Sequence, residues 1–238
     1  MKVEIWSDFV CPFCYIGKRK FEDALSQFAN REHVVTEFRS FELNPNADSE
    51  AKISTHDMLS KKYGMSPEQA KATSAGVAEQ AAAVGLEFVF DGMLEQNTFH
   101  AHRLTQFAAQ EGKGAAMAER LFRAYFTDTD NISDYNRLAE LAEEAGLQKE
   151  AALEVLQTGR FADVVRGQED EGSKLGIRGV PFLVIDRKYA ISGAQSPAVF
   201  LDTLNKAWGE LYPSLQQVGE DQGDGVCGDG YCVPGEQK

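Results

Sequence analysis

The four cysteines of this 238-residue chain form two close pairs near its opposite ends. Cys11 and Cys14 enclose a Pro-Phe dipeptide and follow the apolar-rich run of residues 3–6. Cys227 and Cys232 lie in a glycine- and aspartate-rich segment, and no cysteine separates the two pairs. Close thiol pairs either exchange electrons with disulfides or hold a metal ion, so the neighbouring residues must distinguish the two chemistries.

The spacing of the first pair favours redox chemistry. Residues three apart share one face of a helix, and Pro12 begins a helical pattern, so Cys11 is expected at a helix N-terminus. Free N–H groups and the positive end of the helix dipole stabilise a thiolate there. Such a thiol leaves readily, which makes its disulfide oxidising. We therefore predict that Cys11 is the nucleophile and leaving group and that Cys14 is the resolving thiol.

Two other interpretations of this pair stay open. All four cysteines could form one zinc site, although zinc knuckles rarely place a helix N-terminus behind an aromatic-rich strand. A purely structural disulfide is disfavoured in a reducing cytoplasm. His100 and His102 are two apart on a predicted helix, hence on different faces, which is poor spacing for metal ligation. We predict no metal site and no built-in cofactor.

A second feature that supports redox chemistry is the segment Gly179-Val180-Pro181 at the start of an apolar strand. Proline lacks an N–H group, but the first residue of a strand tolerates this loss. In a thioredoxin-like sheet, a loop at this position faces the thiol pair, and a cis bond before Pro181 would expose the Val180 backbone to an extended substrate. We predict that Val180 and Pro181 bind substrate, together with Pro12 and Phe13.

The second pair, Cys227 and Cys232, is also predicted to be redox-active. A disulfide closing so short a loop would constrain the unfolded chain by roughly 2 kcal/mol at most, and a glycine-rich tail has little folded structure to stabilise. As a flexible coil, the chain from Tyr212 to Cys227 averages ~20 Å. A relay in which the tail pair exchanges with Cys11 and Cys14 is therefore a legitimate hypothesis.

Composition narrows the class of protein and its partners. The net charge of −13 disfavours nucleic acid, because phosphate binding needs clustered lysine and arginine. The N-terminus has no basic segment followed by an apolar run, and no stretch approaches the length of a membrane span. We therefore expect a cytoplasmic protein without a membrane partner, whose substrates are protein or peptide thiols and disulfides, with small thiols such as glutathione as further candidates.

The order of predicted elements indicates an α/β fold. Strand, helix and strand occupy the first forty residues, helices dominate residues 54–175, and two strands and a helix follow. This is the order of a thioredoxin-like fold with an inserted all-helical domain and a C-terminal tail, because the last elements complete a sheet that two strands cannot form alone. The predicted divisions are residues 1–53 and 176–212 for the two halves of the thioredoxin-like domain, 54–175 for the insertion and 213–238 for the tail.

Four segments together resemble the DsbA-like thioredoxin superfamily, and specifically its FrnE-type cytoplasmic branch. They are WSDFVCPFCYIG (6–17), NTFHAHR (97–103), GVPF (179–182) and SGAQ (192–195). The resemblance implies thiol–disulfide exchange on proteins, and some FrnE-type members also carry a C-terminal pair like Cys227 and Cys232. Strongly oxidising members have Pro-His between the cysteines. Phe13 cannot stabilise a thiolate as histidine does, so we expect a weaker oxidant.

The leading hypothesis is therefore an enzyme, a protein disulfide oxidoreductase with isomerase activity as an extension. One alternative, also suggested by resemblance, is a glutathione-dependent isomerase or transferase of the kappa type. Enzymes of that type carry serine where this chain has Cys11, and they lack the second thiol. A redox-sensing chaperone that holds unfolded chains near Pro181 is a non-enzymatic alternative, and a zinc-binding module is another.

Overall fold

The computed structural model describes residues 1–48 and 53–213. The strands are β1 (Lys2–Ser7), β2 (Val35–Ser40), β3 (Phe182–Ile185) and β4 (Tyr189–Ser192). The helices are α1 (Pro12–Gln27), α2 (Thr55–Tyr63), α3 (Pro67–Ala82), α4 (Phe99–Gln110), α5 (Gly114–Phe126), α6 (Tyr135–Glu144), α7 (Lys149–Thr158), α8 (Ala162–Lys174) and α9 (Pro197–Leu211), with a short 3-10 helix at Arg31–His33. Cys227 and Cys232 lie outside the described residues.

One four-stranded sheet, in the order β2-β1-β3-β4, organises the first and last parts of this chain. β1 pairs with β2 in parallel, whereas β3 is antiparallel to both β1 and β4. The register places Ile5 beside Phe38 on one side and Leu183 on the other. A parallel pair needs a crossover connection, which α1 supplies. The predicted thioredoxin-like α/β fold is therefore confirmed.

Alternation along the strands assigns each face of the sheet to different helices. Val3, Ile5 and Leu183 share a core with Phe21 of α1 and Phe200 of α9. The opposite face carries Trp6, whose indole N–H donates to the Gln168 carbonyl of α8 at 3.1 Å. Gly172 of α8 lies so close that an added Cβ would be 2.8 Å from the Trp6 indole nitrogen.

The largest core belongs to the helical region and extends into the start of α1. Its members include Leu104, Phe107, Leu121 and Phe122, from the apolar faces of α4 and α5. Cys11, Cys14, Tyr15 and Ile16 belong to the same cluster. The first turn of α1 therefore lies where the sheet and the helical region meet.

The predicted helical insertion, residues 54–175, contacts β2 through α4, α5 and α8. The Gln168 side chain of α8 accepts from the Ser40 N–H of β2 at 2.8 Å and donates to Gln106 of α4 at 2.8 Å. α8 thus connects the sheet to α4, because the amide oxygen of Gln168 accepts a hydrogen bond from β2 and its amide nitrogen donates one to α4. The division of the chain at residues 53, 175 and 212 stays a prediction.

Candidate active site

Cys11 occupies the N-cap position of α1, with extended backbone angles of φ −91° and ψ 111°. Its N–H donates to the Asp8 carbonyl at 3.1 Å, and its carbonyl accepts from the Cys14 N–H at 3.0 Å. Pro12 is the first helical residue, where its missing N–H costs nothing. The Cys11 side chain is 5% exposed and faces the positive end of the helix dipole.

Cys14 lies one turn further along α1 and is more deeply buried, at 3% exposure. Burial raises the pKa of its thiol well above the ordinary value, and the adjacent Cys11 side chain raises this pKa further. Ser7 and the Asp8 backbone oppose the rise without overcoming it. Both cysteines are free thiols in this structure. Cys14 is therefore protonated at neutral pH.

The loop before β3 meets the first turn of α1. The Cys11 thiol donates to the Val180 carbonyl, with sulfur and oxygen 3.6 Å apart, and the Val180–Pro181 peptide bond is cis. Gly17 permits this approach, because a Cβ there would lie 3.1 Å from Pro181 Cγ and 3.4 Å from Ala194 Cβ. Three of the residues predicted for the site, Cys11, Val180 and Pro181, are thus neighbours in space.

α4 packs behind the thiols through a buried acid–imidazole contact. Asp8 accepts from the Leu43 N–H at 2.7 Å through one carboxylate oxygen, and the other lies 3.4 Å from Nε2 of His102. The rings of Phe9 and His102 are tilted by 38° to each other, with their centroids 4.8 Å apart. The sequence spacing disfavours metal ligation by this histidine, and the structure places its ring beside Asp8.

His100, two residues earlier on α4, contacts side chains of α4 and α6. Its ring nitrogens contact Arg103 at 2.9 Å and the Tyr135 hydroxyl at 3.2 Å. Burial, reinforced by the Arg103 charge, lowers the pKa of His100 to about 4. Within residues 1–48 and 53–213, the structure contains no cluster of side chains suited to a metal ion.

Two recesses lie near the first turn of α1, one lined by Cys11 itself and one by its neighbour Val180. A cavity of about 440 Å³ is lined by Cys11, Pro12 and Phe13 together with residues from α2, α3 and the segment before α4. A second recess, of about 360 Å³, lies along Val180 and Pro181. Phe13 is 40% exposed and Pro12 is half-buried. The four residues predicted to bind substrate therefore divide between the two recesses.

Sequence reasoning missed the cavity wall. Met58 comes from α2, Val77 from α3 and Met93 from the connection to α4, and nothing in their spacing joins them. Apolar periodicity marks such residues only as core candidates. Their arrangement around a void depends on how three separate segments pack, which no local pattern encodes.

The family model for the DSBA-like thioredoxin domain matches residues 2–205 of this chain. The chain belongs to this family. A probable DsbA oxidoreductase of Streptomyces coelicolor is 42% identical, with a TM-score of 0.85, and the match covers 99% of this chain and 100% of that one. The Bacillus subtilis protein YwbO is 30% identical over 200 residues, 83% of this chain and 92% of its own.

A more distant structure shares the fold alone. DsbM of Pseudomonas aeruginosa, a cytosolic disulfide reductase, is 17% identical, with a TM-score of 0.61, and the match covers 87% of this chain and 98% of that one. DsbM has also been solved with glutathione. In this DSBA-like chain, no described helix is long and apolar enough to span a membrane.

Proposed function

We propose that this protein is a thiol–disulfide oxidoreductase in which Cys11 and Cys14 alternate between a dithiol and a disulfide. The observation that carries the proposal is the position of Cys11 between the N-terminus of α1 and the Val180 carbonyl, with the buried Cys14 thiol against it. The helix end stabilises negative charge on Cys11, while burial keeps Cys14 protonated. The two thiols therefore suit different steps.

In the reductive direction, the Cys11 thiolate attacks one sulfur of a substrate disulfide. The substrate S–S bond breaks, its other sulfur leaves as a thiolate and takes a proton, and a mixed disulfide with Cys11 remains. Cys14 then gives up its proton and attacks the Cys11 sulfur, which releases the second substrate thiol. Two protein thiols become one disulfide as one substrate disulfide becomes two thiols, and the oxidative direction is the exact reverse.

The substrates that fit this mechanism are protein or peptide thiols and disulfides. An extended segment can lie in the recess along Val180 and Pro181, where the Val180 backbone is available for strand-like pairing. Glutathione is a second substrate candidate, because a small thiol needs only access to Cys11. We place the protein in the cytoplasm, as for the FrnE-type branch that it resembles, and we extend the activity to disulfide isomerisation.

Reduction of insulin disulfides by dithiothreitol, followed by turbidity, tests the proposal. The wild-type chain should accelerate the reaction, Cys11→Ser should abolish the acceleration, and Cys14→Ser should lower it at least about tenfold by stalling at the mixed disulfide. Ser196→Ala, on the exposed cap of α9, is the matched control and should retain full activity. Full activity of a folded Cys11→Ser variant would contradict the proposal.

We further propose that Cys227 and Cys232 form a second redox pair that exchanges with the first. A double variant, Cys227→Ser and Cys232→Ser, should change the turnover of insulin or the redox equilibrium of Cys11 and Cys14. Unchanged values for both quantities would rule out the relay while leaving the role of the first pair intact.

The kappa-type glutathione-dependent isomerase or transferase remains the alternative enzyme. Glutathione conjugation to an electrophile that survives Cys11→Ser and Cys14→Ser, with no insulin reduction by the wild type, would favour it. A redox-sensing chaperone would instead prevent aggregation of unfolded clients with all four cysteines replaced by serine.

A further inference from the structure

The cavity beside Cys11 has the size and shape of a small-molecule site. Its volume of about 440 Å³ falls within the range of pockets that bury drug-sized ligands, roughly 300–1,000 Å³. The sulfur-bearing residue Cys11 lies in its wall, and α2 and α3 close it opposite the first turn of α1. A molecule bound there would therefore be enclosed on several sides with one end at the reactive sulfur.

The wall of this cavity is mostly apolar and adaptable. Three of the five methionines in the chain, Met58, Met65 and Met93, line it together with Val77 and Phe90. Methionine side chains are unbranched and polarizable, so they adjust to apolar bodies of different shape. The methionines of this wall fit a site that accepts a class of compounds rather than one peptide sequence.

The lining also includes residues with polar side chains, among them a buried serine. Ser74 of α3 is 97% buried, yet its hydroxyl has no hydrogen-bond partner among the described residues. Among the charged lining residues that the structure describes, Asp8 and Glu95 oppose the ammonium of Lys62, so these three groups offer no net positive charge to an anion.

We infer that this cavity binds the body of an uncharged, low-molecular-weight thiol or disulfide with an aromatic or branched aliphatic group, and holds its sulfur at Cys11. The inference rests on the proposed thiol–disulfide exchange and names a substrate class for it. A thiolate of this class attacks the Cys11 sulfur of the Cys11–Cys14 disulfide, and Cys14 leaves and takes a proton. A second thiol then attacks the mixed disulfide, which yields the protein dithiol and one small disulfide.

The charge and the position of the cavity distinguish an uncharged small thiol from the other candidate substrates, glutathione and peptides. Glutathione carries net negative charge at neutral pH and gains nothing from a wall with two carboxylates and one ammonium. Peptides are proposed to bind in the other recess, along Val180 and Pro181, which shares no lining residue with the cavity. A change in the cavity wall should therefore affect apolar small thiols selectively.

The test compares two primary alkyl thiols, 2-phenylethanethiol and 2-mercaptoethanol, as reductants of the Cys11–Cys14 disulfide. The full chain carries Cys227→Ser and Cys232→Ser, so that only the first pair reacts. In this background we expect 2-phenylethanethiol to react at least about tenfold faster, because its ring leaves water for an apolar cavity. Val77→Phe fills the cavity and should reduce the ratio below about twofold, because 2-phenylethanethiol loses the space for its ring.

Ala75→Phe is the matched control, since it adds the same ring to the exposed face of α3 outside the cavity lining, and it should preserve the tenfold ratio. A second measurement needs no variant of the wall: 2-phenylethanol, which has no thiol, should compete with 2-phenylethanethiol and leave reduction by 2-mercaptoethanol unaffected.

Three outcomes would each overturn the inference. They are equal rates with the two thiols in the protein that keeps Val77, an unchanged ratio of these rates in folded Val77→Phe, and a lack of competition by 2-phenylethanol. These outcomes leave insulin reduction intact. Failure of both thiols to reduce the Cys11–Cys14 disulfide would instead contradict the proposed function, and the inference with it.

Discussion

Cys11 and Cys14 are the same side chain in two different environments. Cys11 lies at the end of a helix, with the Val180 carbonyl 3.6 Å from its sulfur, whereas burial raises the pKa of Cys14 well above its ordinary value. A thiol at a helix N-terminus suits attack and departure, whereas a thiol that stays protonated waits for the mixed disulfide. The spacing of the cysteines predicted these two places, because the helix period and Pro12 define a first turn.

Phe13 lies between the cysteines, and its side chain has no hydrogen bond to donate to the Cys11 sulfur. Replacement with histidine places a donor beside Cys11 that stabilises the thiolate and hence the dithiol form. We expect Phe13→His to raise the reduction potential of the pair by about 30 mV or more, the equivalent of one strong hydrogen bond. Equilibration in glutathione redox buffers measures the potential. Phe13→Leu is the control, and an equal rise in this variant would contradict the explanation.

At the scale of elements, α1 is held in place by contacts with α5 on one side and with the Pro181 loop on the other. On one side, Glu119 of α5 accepts hydrogen bonds from Tyr15 at 2.6 Å and Lys18 at 2.5 Å, and it also pairs with Arg19. On the other, Gly17 allows the Pro181 loop to pack directly on the helix. The sequence predicted α1 and the loop separately. The Glu119 contact joins residues about a hundred positions apart, and no local pattern could predict it.

Glu119 gives α1 a pH-dependent attachment. Burial alone would raise its pKa, but hydrogen bonds from Arg19, Lys18 and Tyr15 outweigh burial and lower the pKa to about 2 from an ordinary 4.5. Because the folded-state pKa is the lower one, this contribution to stability is complete above about pH 4.5 and is lost as the pH falls toward 2.

We therefore expect Glu119→Gln to destabilise the protein by about 2–3 kcal/mol at pH 7, because the buried Lys18 keeps only its exposed partner Glu22. The variant should also lose less stability than the wild type between pH 5 and pH 3. Urea unfolding at several pH values measures both effects. Glu154→Gln, in the exposed pair with Arg160, should change stability by at most about 0.5 kcal/mol. Parallel pH profiles for Glu119→Gln and wild type would refute this explanation.

Gly17 provides a second test at this scale. Gly17→Val adds a side chain where Pro181 Cγ would lie 3.1 Å from the new Cβ, so the loop must move away from Cys11. We expect a loss of about 1–3 kcal/mol in stability and a slower reduction of insulin. Gly209→Ala in α9 is the control: nothing lies within 4 Å of its added Cβ, and activity should be retained. Equal insulin reduction by Gly17→Val and wild type would show that the loop position does not matter.

Across the whole molecule, the site lies on a shared core rather than on one domain. Cys14 and Tyr15 pack in the same cluster as Leu104 and Phe122 of the helical region. The Asp8–His102 contact adds a polar connection between the sheet and α4. The order of elements and the two apolar periods predicted which helices and strands exist. The enclosed cavity and the buried acid–imidazole contact depend on tertiary packing, so neither was predictable.

This shared core predicts that Cys14 becomes accessible only when the helical region unfolds. In the Cys11→Ala variant with both tail cysteines replaced by serine, labelling of Cys14 during urea unfolding should follow the same transition as the loss of helical circular dichroism. Both midpoints should agree within about 0.2 M urea. Labelling well below the circular dichroism transition would show that α1 opens independently of the helical region.

The most direct test of the central claim is to trap the mixed disulfide. In a protein with both tail cysteines replaced by serine, Cys14→Ala removes the resolving thiol, so a peptide disulfide should leave one peptide attached to Cys11, identified by mass spectrometry of the digested protein. The Cys11→Ala counterpart, with Cys14 buried and protonated, should trap at least about a hundredfold more slowly. Comparable trapping at Cys14, or no adduct at Cys11 in a folded protein, would contradict the assignment of Cys11 as the attacking thiol.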